Sequence, residues 1–216
     1  GLRFREIYTR PWSDVLQMLY LERDMAAFAA SQPLIAPPGT LWSYSSGTTN
    51  IVSAVIRRTV GDDAYPAFPR RALFDRLGMR SAVMEPDAAG TFVGSSYMVA
   101  TARDWARFGQ LHLQDGVWQG ERVLPEGWVR FCTTATPQSP GGNYGAHWYL
   151  KLNPDIGGDT AEARRLPADC AFAVGHEGQT ITVIPSLDLV VVRLGLSIYI
   201  DGWNQAAFIA DLIDAL

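Results

Sequence analysis

Two short segments, far apart in the chain, hold the residue types best suited to chemistry. The first covers residues 38–50 and reads PGTLWSYSSGTTN, so that Trp42 and Tyr44 come just before a predicted helix. A tyrosine can act as a general base where cationic neighbours lower its pKa, which is ordinarily about 10. The alternative is that Tyr44 is an aromatic packing residue while the serines and threonines cap the helix, and residue types alone favour that alternative.

The second segment covers residues 175–179 and reads GHEGQ, between two predicted strands. Glycines on both sides of the His-Glu pair let the backbone approach a ligand closely. The amide of Gln179 could donate to a developing oxyanion, and His176 could polarise a substrate or tune a neighbouring phenol. The alternative, which this segment alone favours, is an exposed turn without a chemical role.

The composition excludes several classes of function. The net charge is −4 and the arginines are scattered, which argues against a nucleic-acid partner. No apolar run reaches the roughly 20 residues that span a bilayer, so no membrane span is predicted. The histidines lie too far apart in sequence for a zinc site, and we predict neither a metal nor an organic cofactor. Cys132 and Cys170 could pair in an oxidising compartment, but the preferred prediction is two buried thiols.

The elements that must position these segments differ between the two ends of the chain. The first part favours helices, and one of them begins at Asp14 after Ser13 as its cap. Others run from Thr49 or Asn50 to Gly61, over 67–77, from a cap at Thr101 to a stop at Gly116, and over 125–129. Towards the end, strands are predicted at 171–174, 180–184 and 189–194, with a hairpin at 185–188 and a closing helix at 203–216. We expect the first helix to run on towards Ala30. The sheet should be covered on both sides, because its strands are apolar on both faces.

This change of pattern predicts two subdomains. Residues 1–150 form a mostly helical subdomain that carries the tyrosine segment, and residues 151–216 supply the strands and closing helix of an α/β subdomain. Three strands make a thin sheet, so partner strands are expected outside this sequence. An unpaired sheet edge would favour self-association.

Taken in this order, the two segments resemble the second and third active-site motifs of serine β-lactamase-like and penicillin-binding-protein-like hydrolases. Tyr44 stands where that family has the tyrosine of its Tyr-x-Asn motif, and His176 stands where it has the lysine of Lys-Thr-Gly. Residues 94–109 and 144–149 resemble two further family segments. The resemblance covers nearly the whole chain and is nearest to the class C β-lactamase, esterase and 6-aminohexanoate-dimer hydrolase branch.

The resemblance implies an α/β (α+β) fold, with a helical subdomain set against an antiparallel sheet flanked by helices. It implies that Tyr44 shuttles a proton, that the N–H of Gln179 is an oxyanion donor and that His176 faces the substrate. Trp42, Ser46 and Gly178 would bind the substrate. All six residues should then meet in one cleft.

Two departures from the family pattern bear on activity. Ser46 replaces the asparagine of the second motif. The first motif, Ser-x-x-Lys, is absent: the only lysine is Lys151, and Trp148 stands three residues before it. We expect that the N-terminal part of the fold, with its nucleophile, lies outside these residues and that this chain alone is inactive.

The expected reaction is hydrolysis of small-molecule esters or amides through an acyl-enzyme, as in carboxylesterases or 6-aminohexanoate-dimer hydrolases. Histidine, unlike lysine, is mostly neutral near pH 7, so a substrate carboxylate should be held weakly. The alternative within enzymes is a β-lactamase or a D-alanyl-D-alanine carboxypeptidase. A further alternative is a non-catalytic binding domain that keeps the cleft. The sequence does not assign the location, whether cytoplasmic, periplasmic or secreted.

Overall fold

The contacts within the chain group its residues into two compact units, Gly1–Ala100 and Thr101–Leu216. The structure is a computed structural model and describes residues 1–152, 161–197 and 203–216. Helix Ala102–Leu113 groups with the second unit because it packs on two strands of the sheet. The subdomains 1–150 and 151–216 therefore stay a prediction. The contacts within the chain divide it earlier, after Ala100.

The first unit is mainly helical. Its helices are α1 (Asp14–Leu21), α2 (Met25–Ala30), α3 (Ser46–Val60) and α4 (Asp75–Leu77), and its short strands β1 (Val83–Met84) and β2 (Met98–Val99) pair antiparallel. Further turns are the 3₁₀ helix Tyr65–Ala67 and the π-helical turn Arg70–Phe74.

Two helix predictions for this unit were wrong in detail. The helix expected from Asp14 towards Ala30 is divided in two, because the Asp24 carboxylate accepts a hydrogen bond from the Ala27 N–H at 2.8 Å and starts α2 afresh. Ser13 precedes α1, but its side chain makes no capping hydrogen bond. The helix expected at 67–77 is a succession of 3₁₀, π and α turns.

The core of the first unit lies where α1, α2 and α3 meet the N-terminal segment. Its buried members are Phe4, Val15, Met18, Met25, Ala29 and Val93. A Cβ atom at Gly47 would lie 2.6 Å from Cε2 of Phe4, so only glycine lets the first turn of α3 approach that ring. This contact holds the N-terminal segment beside the start of α3.

The second unit is built around an antiparallel sheet. Its elements are α5 (Ala102–Leu113), β3 (Val117–Trp118), β4 (Glu121–Arg122), α6 (Trp128–Cys132), β5 (Ala171–Val174), β6 (Thr180–Ile184), β7 (Leu189–Arg193) and α7 (Gln205–Asp214). The strand order is β5-β6-β7, and Ile184 pairs with Leu189 across the hairpin. The three strands, the hairpin between β6 and β7, and the helices α5 and α7 confirm the sequence predictions. Strand β7 ends at Arg193.

Helices cover both faces of this sheet. Ile181, Val183 and Val190 belong to one apolar cluster with Trp105 and Phe108 of α5. The alternate strand residues, including Phe172 and Ile184, pack with Ile209 of α7. All residues of β6 are buried, which confirms the predicted covering of the sheet.

The two edges of the sheet differ. Tyr149 and Phe172 exchange two backbone hydrogen bonds of 2.8 Å, which gives β5 a neighbour. Among the described residues, no strand pairs with the outer edge of β7. Self-association through this edge stays a prediction. Cys132 and Cys170 are both buried free thiols, as predicted.

Candidate active site

The tyrosine segment lies at the start of α3 in the first unit. Ser45 caps this helix by accepting a hydrogen bond from the Thr48 N–H at 3.1 Å. Tyr44 comes immediately before the cap and is 40% exposed, while Trp42 is half-buried. The helix begins at Ser46, earlier than the sequence predicts, so Ser46 belongs to its first turn and is buried.

The carboxylate of Glu6, which no sequence pattern connects with this segment, binds the first turn of α3. Glu6 accepts a hydrogen bond from the backbone N–H of Ser46 at 3.0 Å and another from its hydroxyl. The phenol of Tyr8 donates to the same carboxylate at 2.8 Å. No sequence spacing links residue 6 to residue 46, so only the fold reveals this cluster. Ser46 as a substrate ligand stays a prediction, and its hydroxyl already donates to Glu6.

The environment of Tyr44 keeps its phenol protonated. Although 40% of the residue is exposed, partial burial of the phenol group raises the pKa of Tyr44, and the negative charge of Glu6 raises it further. The pKa of Tyr8 is raised by burial and by its hydrogen bond to Glu6. A general-base role for Tyr44 therefore requires a cation that offsets both causes.

The His-Glu-Gly segment lies between β5 and β6 in the second unit. Residues His176–Gly178 form one 3₁₀ turn, which the Gly175 N–H closes by donating to the Gln179 carbonyl at 2.7 Å. Gly178 has a φ of +85°, and a Cβ atom there would lie 2.4 Å from Nη1 of Arg193. Glycine is thus required both by the backbone conformation and by the neighbouring guanidinium.

Gln179 offers its backbone rather than its side chain as a donor. Its side-chain amide is bound at both ends by Gly195, whose N–H donates to Oε1 at 3.0 Å and whose carbonyl accepts from Nε2. The backbone N–H of Gln179 makes no hydrogen bond to any residue in the described part of the chain. The side-chain amide is therefore occupied, and the backbone N–H is the group that can reach a ligand.

His176 points to solvent from the same turn. Its side chain is 72% exposed, and its Nε2 lies 3.6 Å from Oε1 of Glu177. Glu177 has a φ of +57°, which helps to turn the chain back into β6. His176 is thus accessible to a substrate.

The six predicted site residues form two local groups. Trp42, Tyr44 and Ser46 lie in one segment of the first unit, and His176, Gly178 and Gln179 share the turn of the second. Their meeting in one cleft stays a prediction.

Metal-ligating groups and a cavity are the other features that bear on a site. Within residues 1–152, 161–197 and 203–216, no group of three or more His, Cys, Asp or Glu side chains could hold a metal ion. A cavity of about 410 Å³ in the second unit is lined by His112, Trp148, Cys170 and neighbouring residues. It lies where β5 begins and β6 ends, at the other end of these strands from the His-Glu-Gly turn.

The comparison with known families covers most of the chain. A model of the family described as Beta-lactamase matches residues 1–195. The chain belongs to the Beta-lactamase family. This match confirms the family that the order of the motifs predicted. A relative from the predicted 6-aminohexanoate-dimer hydrolase branch also matches.

Among curated relatives, this Beta-lactamase family member is similar to the 6-aminohexanoate-dimer hydrolase of Paenarthrobacter ureafaciens. The two are 25% identical over 166 residues, which are 71% of this chain and 38% of the relative. The chain thus spans well under two thirds of the length of that relative.

Solved structures share the fold. A Bacillus anthracis protein assigned as a 6-aminohexanoate-dimer hydrolase matches with a TM-score of 0.71 and 20% identity, over 100% of this chain and 57% of that one. A β-lactamase from Mycobacterium bovis matches with a TM-score of 0.60 and 19% identity, over 85% and 67%. A D-stereospecific amidohydrolase from Streptomyces matches with a TM-score of 0.54 and 16% identity, over 84% and 55%. These likenesses confirm the predicted α/β fold class with its antiparallel sheet flanked by helices. Among the described residues, no helix is both long and apolar enough to cross a membrane.

Proposed function

We propose that the protein containing this chain is a serine hydrolase that cleaves small esters or linear amides through an acyl-enzyme. The observation that carries the proposal is the turn at His176–Gly178, which ends in a backbone N–H of Gln179 without a hydrogen bond to any described residue. A donor held in this way suits an oxyanion, because it need not break another bond to stabilise the developing charge.

The proposed steps combine groups of this chain with a nucleophile that lies outside it. A serine outside these residues attacks the substrate carbonyl, and its hydroxyl proton passes to the oxygen of Tyr44, which acts as the base while a neighbouring cation keeps it deprotonated. The carbonyl oxygen becomes an oxyanion that accepts from the Gln179 N–H. The Tyr44 phenol delivers the proton to the departing alcohol or amine, and water then releases the acid by the same route.

Tyr44 can take part as a base only beside a cation. Burial and Glu6 both raise the pKa of Tyr44, so the proton stays on the phenol unless a positive charge opposes them. The lysine of a Ser-x-x-Lys motif would supply that charge. The proposal therefore places both the nucleophile and this lysine in a segment outside the 216 residues.

The choice of substrate rests on His176. Histidine does not carry the permanent charge with which lysine holds a carboxylate, which favours neutral esters and linear amides over β-lactams. The names of two relatives, a 6-aminohexanoate-dimer hydrolase and a D-stereospecific amidohydrolase, point to amide substrates for those proteins and support the same class here.

The test uses the longer protein that contains these residues. We expect hydrolysis of p-nitrophenyl acetate or of the linear 6-aminohexanoate dimer, with kcat/KM at least ten times that for nitrocefin or a D-alanyl-D-alanine peptide. A fluorophosphonate probe should label a serine outside residues 1–216, and the isolated chain should be neither labelled nor active. Tyr44→Phe should lower kcat, whereas Tyr20→Phe, at a phenol that is 70% exposed, should not.

Other outcomes would replace the proposal. Nitrocefin as the preferred substrate would make the protein a β-lactamase, and the dipeptide would make it a carboxypeptidase. Failure of every substrate and of the probe would favour a non-catalytic binding domain.

A further inference from the structure

We propose that Arg193 is a positioning residue that aims the backbone N–H of Gln179 and strengthens it as a hydrogen-bond donor. This inference rests on the proposed function. Arg193 is the last residue of β7 and lies behind the His-Glu-Gly turn. Neither its position in the sequence nor any motif connects it with that turn.

The guanidinium of Arg193 is fixed at three places. Its Nη1 donates to the carbonyl of Gly178 at 2.7 Å, and its Nη2 donates to Oγ of Ser197 at 2.7 Å. Its Cζ atom lies 4.2 Å from the centre of the Trp203 ring, within the range of a cation–π contact. A planar guanidinium held on two edges and one face has little freedom to leave the Gly178 carbonyl.

Holding that carbonyl also fixes the neighbouring N–H. The carbonyl of Gly178 and the N–H of Gln179 belong to one planar trans peptide, in which the two groups point in opposite directions. Because Arg193 binds the carbonyl from one side, the Gln179 N–H must point away from Arg193. It is this N–H that makes no hydrogen bond within the described residues.

The same contact polarises the peptide. A hydrogen bond from a charged donor is stronger than one from a neutral donor, and it draws electrons towards the carbonyl oxygen. Hydrogen bonds in series strengthen one another, so the N–H at the far end of this peptide becomes a better donor. The Arg193 charge would thus reach the oxyanion through the peptide without touching the substrate.

Other contacts hold the turn on the same side as Arg193. The N–H of Ser197 donates to the Glu177 carbonyl at 2.9 Å, and Gly195 binds the side chain of Gln179. Gly178 has no side chain to separate its carbonyl from the guanidinium, whose Nη1 would lie 2.4 Å from a Cβ atom there. The segment after β7 therefore stabilises the turn through these hydrogen bonds. None of them involves the N–H of Gln179, which points away from Arg193.

The experiment compares Arg193→Gln and Arg193→Lys with Arg165→Gln in the longer protein. Arg165 is a matched control, since its guanidinium pairs with Asp214 on the surface of the same unit. The loss of one oxyanion donor lowers kcat by about 10²–10³. Misalignment should cost less, so we expect Arg193→Gln to lower kcat by about ten- to a hundredfold. KM should stay within about twofold, Arg193→Lys should keep part of the activity, and Arg165→Gln should match the wild type.

A spectroscopic measurement observes the peptide directly. Labelling glycine with ¹³C at the carbonyl and glutamine with ¹⁵N selects Gly-Gln peptide bonds, of which these residues contain two, Gly178–Gln179 and Gly109–Gln110. In Arg193→Gln the Gly178 carbonyl and Gln179 amide signals should move upfield. The Gly109–Gln110 pair in α5 should stay in place and serves as an internal reference.

The outcomes separate the inference from the proposed function. Unmoved Gly178–Gln179 signals in Arg193→Gln would overturn the inference whatever the activity. Moved signals with unchanged kcat would also overturn it, since the contact would then be structural only. Moved signals together with a fall in kcat at constant KM support it. A wild-type protein inactive on every substrate would refute the proposed function, and the signals alone would then decide whether Arg193 aims the N–H.

Discussion

Glu6 binds Ser46 twice, through the backbone N–H and through the hydroxyl of that residue. The backbone N–H is one of the donors that a helix leaves unpaired at its first turn, and a carboxylate there is favoured by the helix dipole. Ser45 satisfies a second donor of the same helix, that of Thr48. The start of α3 beside Tyr44 is thus held both by a neighbouring residue and by the distant N-terminal segment.

Replacing Glu6 by glutamine should lower the pKa of Tyr44. The Glu6 charge is one of two causes that raise this pKa, and burial, the larger cause, remains in Glu6→Gln. The pKa should therefore fall and yet stay above its ordinary value. Titration of ¹³Cζ-labelled tyrosine, with Tyr44→Phe to assign the signal, measures the change.

The same substitution should reduce stability. Glu6 accepts hydrogen bonds from the backbone N–H and the hydroxyl of Ser46, and a glutamine would accept them without the negative charge. Each hydrogen bond to a charged group contributes about 1.5–3 kcal/mol to stability. We expect the free energy of unfolding to fall by about 1–3 kcal/mol in urea titrations. Glu22→Gln, on an exposed residue, is the matched control and should have almost no effect. An unchanged Tyr44 pKa together with unchanged stability would contradict the role given to Glu6.

His112 should make the second unit sensitive to acid. Its ring lies 4.5 Å from that of Phe108 and 4.7 Å from that of Trp148, and burial lowers its pKa below the ordinary 6.5. As the pH falls below 6.5, His112 therefore takes up a proton in the unfolded chain before it does so in the folded chain. The contribution of His112 to stability is present above that pH and is lost as the pH falls through the folded pKa.

Urea unfolding of the wild type and of His112→Phe between pH 7 and pH 4.5 tests this dependence. The carboxylates titrate in both proteins, so the difference between the two slopes isolates His112. We expect a steeper loss of stability in the wild type as the pH falls through the window below about 6.5. Parallel curves would show that His112 is not held neutral by the fold.

Gly109→Ala should destabilise the chain although alanine favours helices. A Cβ atom at Gly109 would lie 2.6 Å from Cγ1 of Val190 and 3.0 Å from Cγ2 of Ile181. The gain in helix propensity is up to about 1 kcal/mol. Overpacking costs about 1–3 kcal/mol and should prevail. Thermal unfolding measures the result, and Gln110→Ala on the exposed face of α5 should be neutral or stabilising.

Tyr44 and His176 should lie in one cleft of the longer protein. A double variant, Tyr44→Cys with His176→Cys, should be joined by a short bis-maleimide. The buried thiols Cys132 and Cys170 should react slowly. Each single variant is the control for crosslinks that involve other thiols. Complete labelling of both introduced cysteines without a crosslink would refute the shared cleft.

The sequence predicts best those elements that depend on neighbouring residues, such as apolar runs, turn residues and helix caps. The strands of the second unit follow from apolar runs between turn residues, and α5 follows from Thr101 as a cap, whose hydroxyl accepts from the Asp104 N–H. A capping residue can also override hydrophobic periodicity. The apolar spacing predicts one helix from Asp14 towards Ala30, but Asp24 caps a separate second helix. The contacts of Glu6 with Ser46 and of Arg193 with Gly178 join distant residues, and no spacing or pattern encodes them. These two contacts hold the two motifs that the sequence does predict.

The covering of the sheet on both faces has a consequence for strand register. Ile181 and Val183 face α5 while the alternate residues face α7, and both faces are apolar, so hydrophobicity alone barely distinguishes them. β6 also has two buried threonines, Thr180 and Thr182. The hydroxyl of Thr182 accepts a hydrogen bond from Nε2 of the buried Gln205 at 3.1 Å. A slip of β6 by one residue would turn Thr182 towards α5 and leave a hydroxyl and an amide buried without partners, at about 1–3 kcal/mol each. The Thr182–Gln205 hydrogen bond therefore favours the register in which Thr182 lies on the α7 face of the sheet.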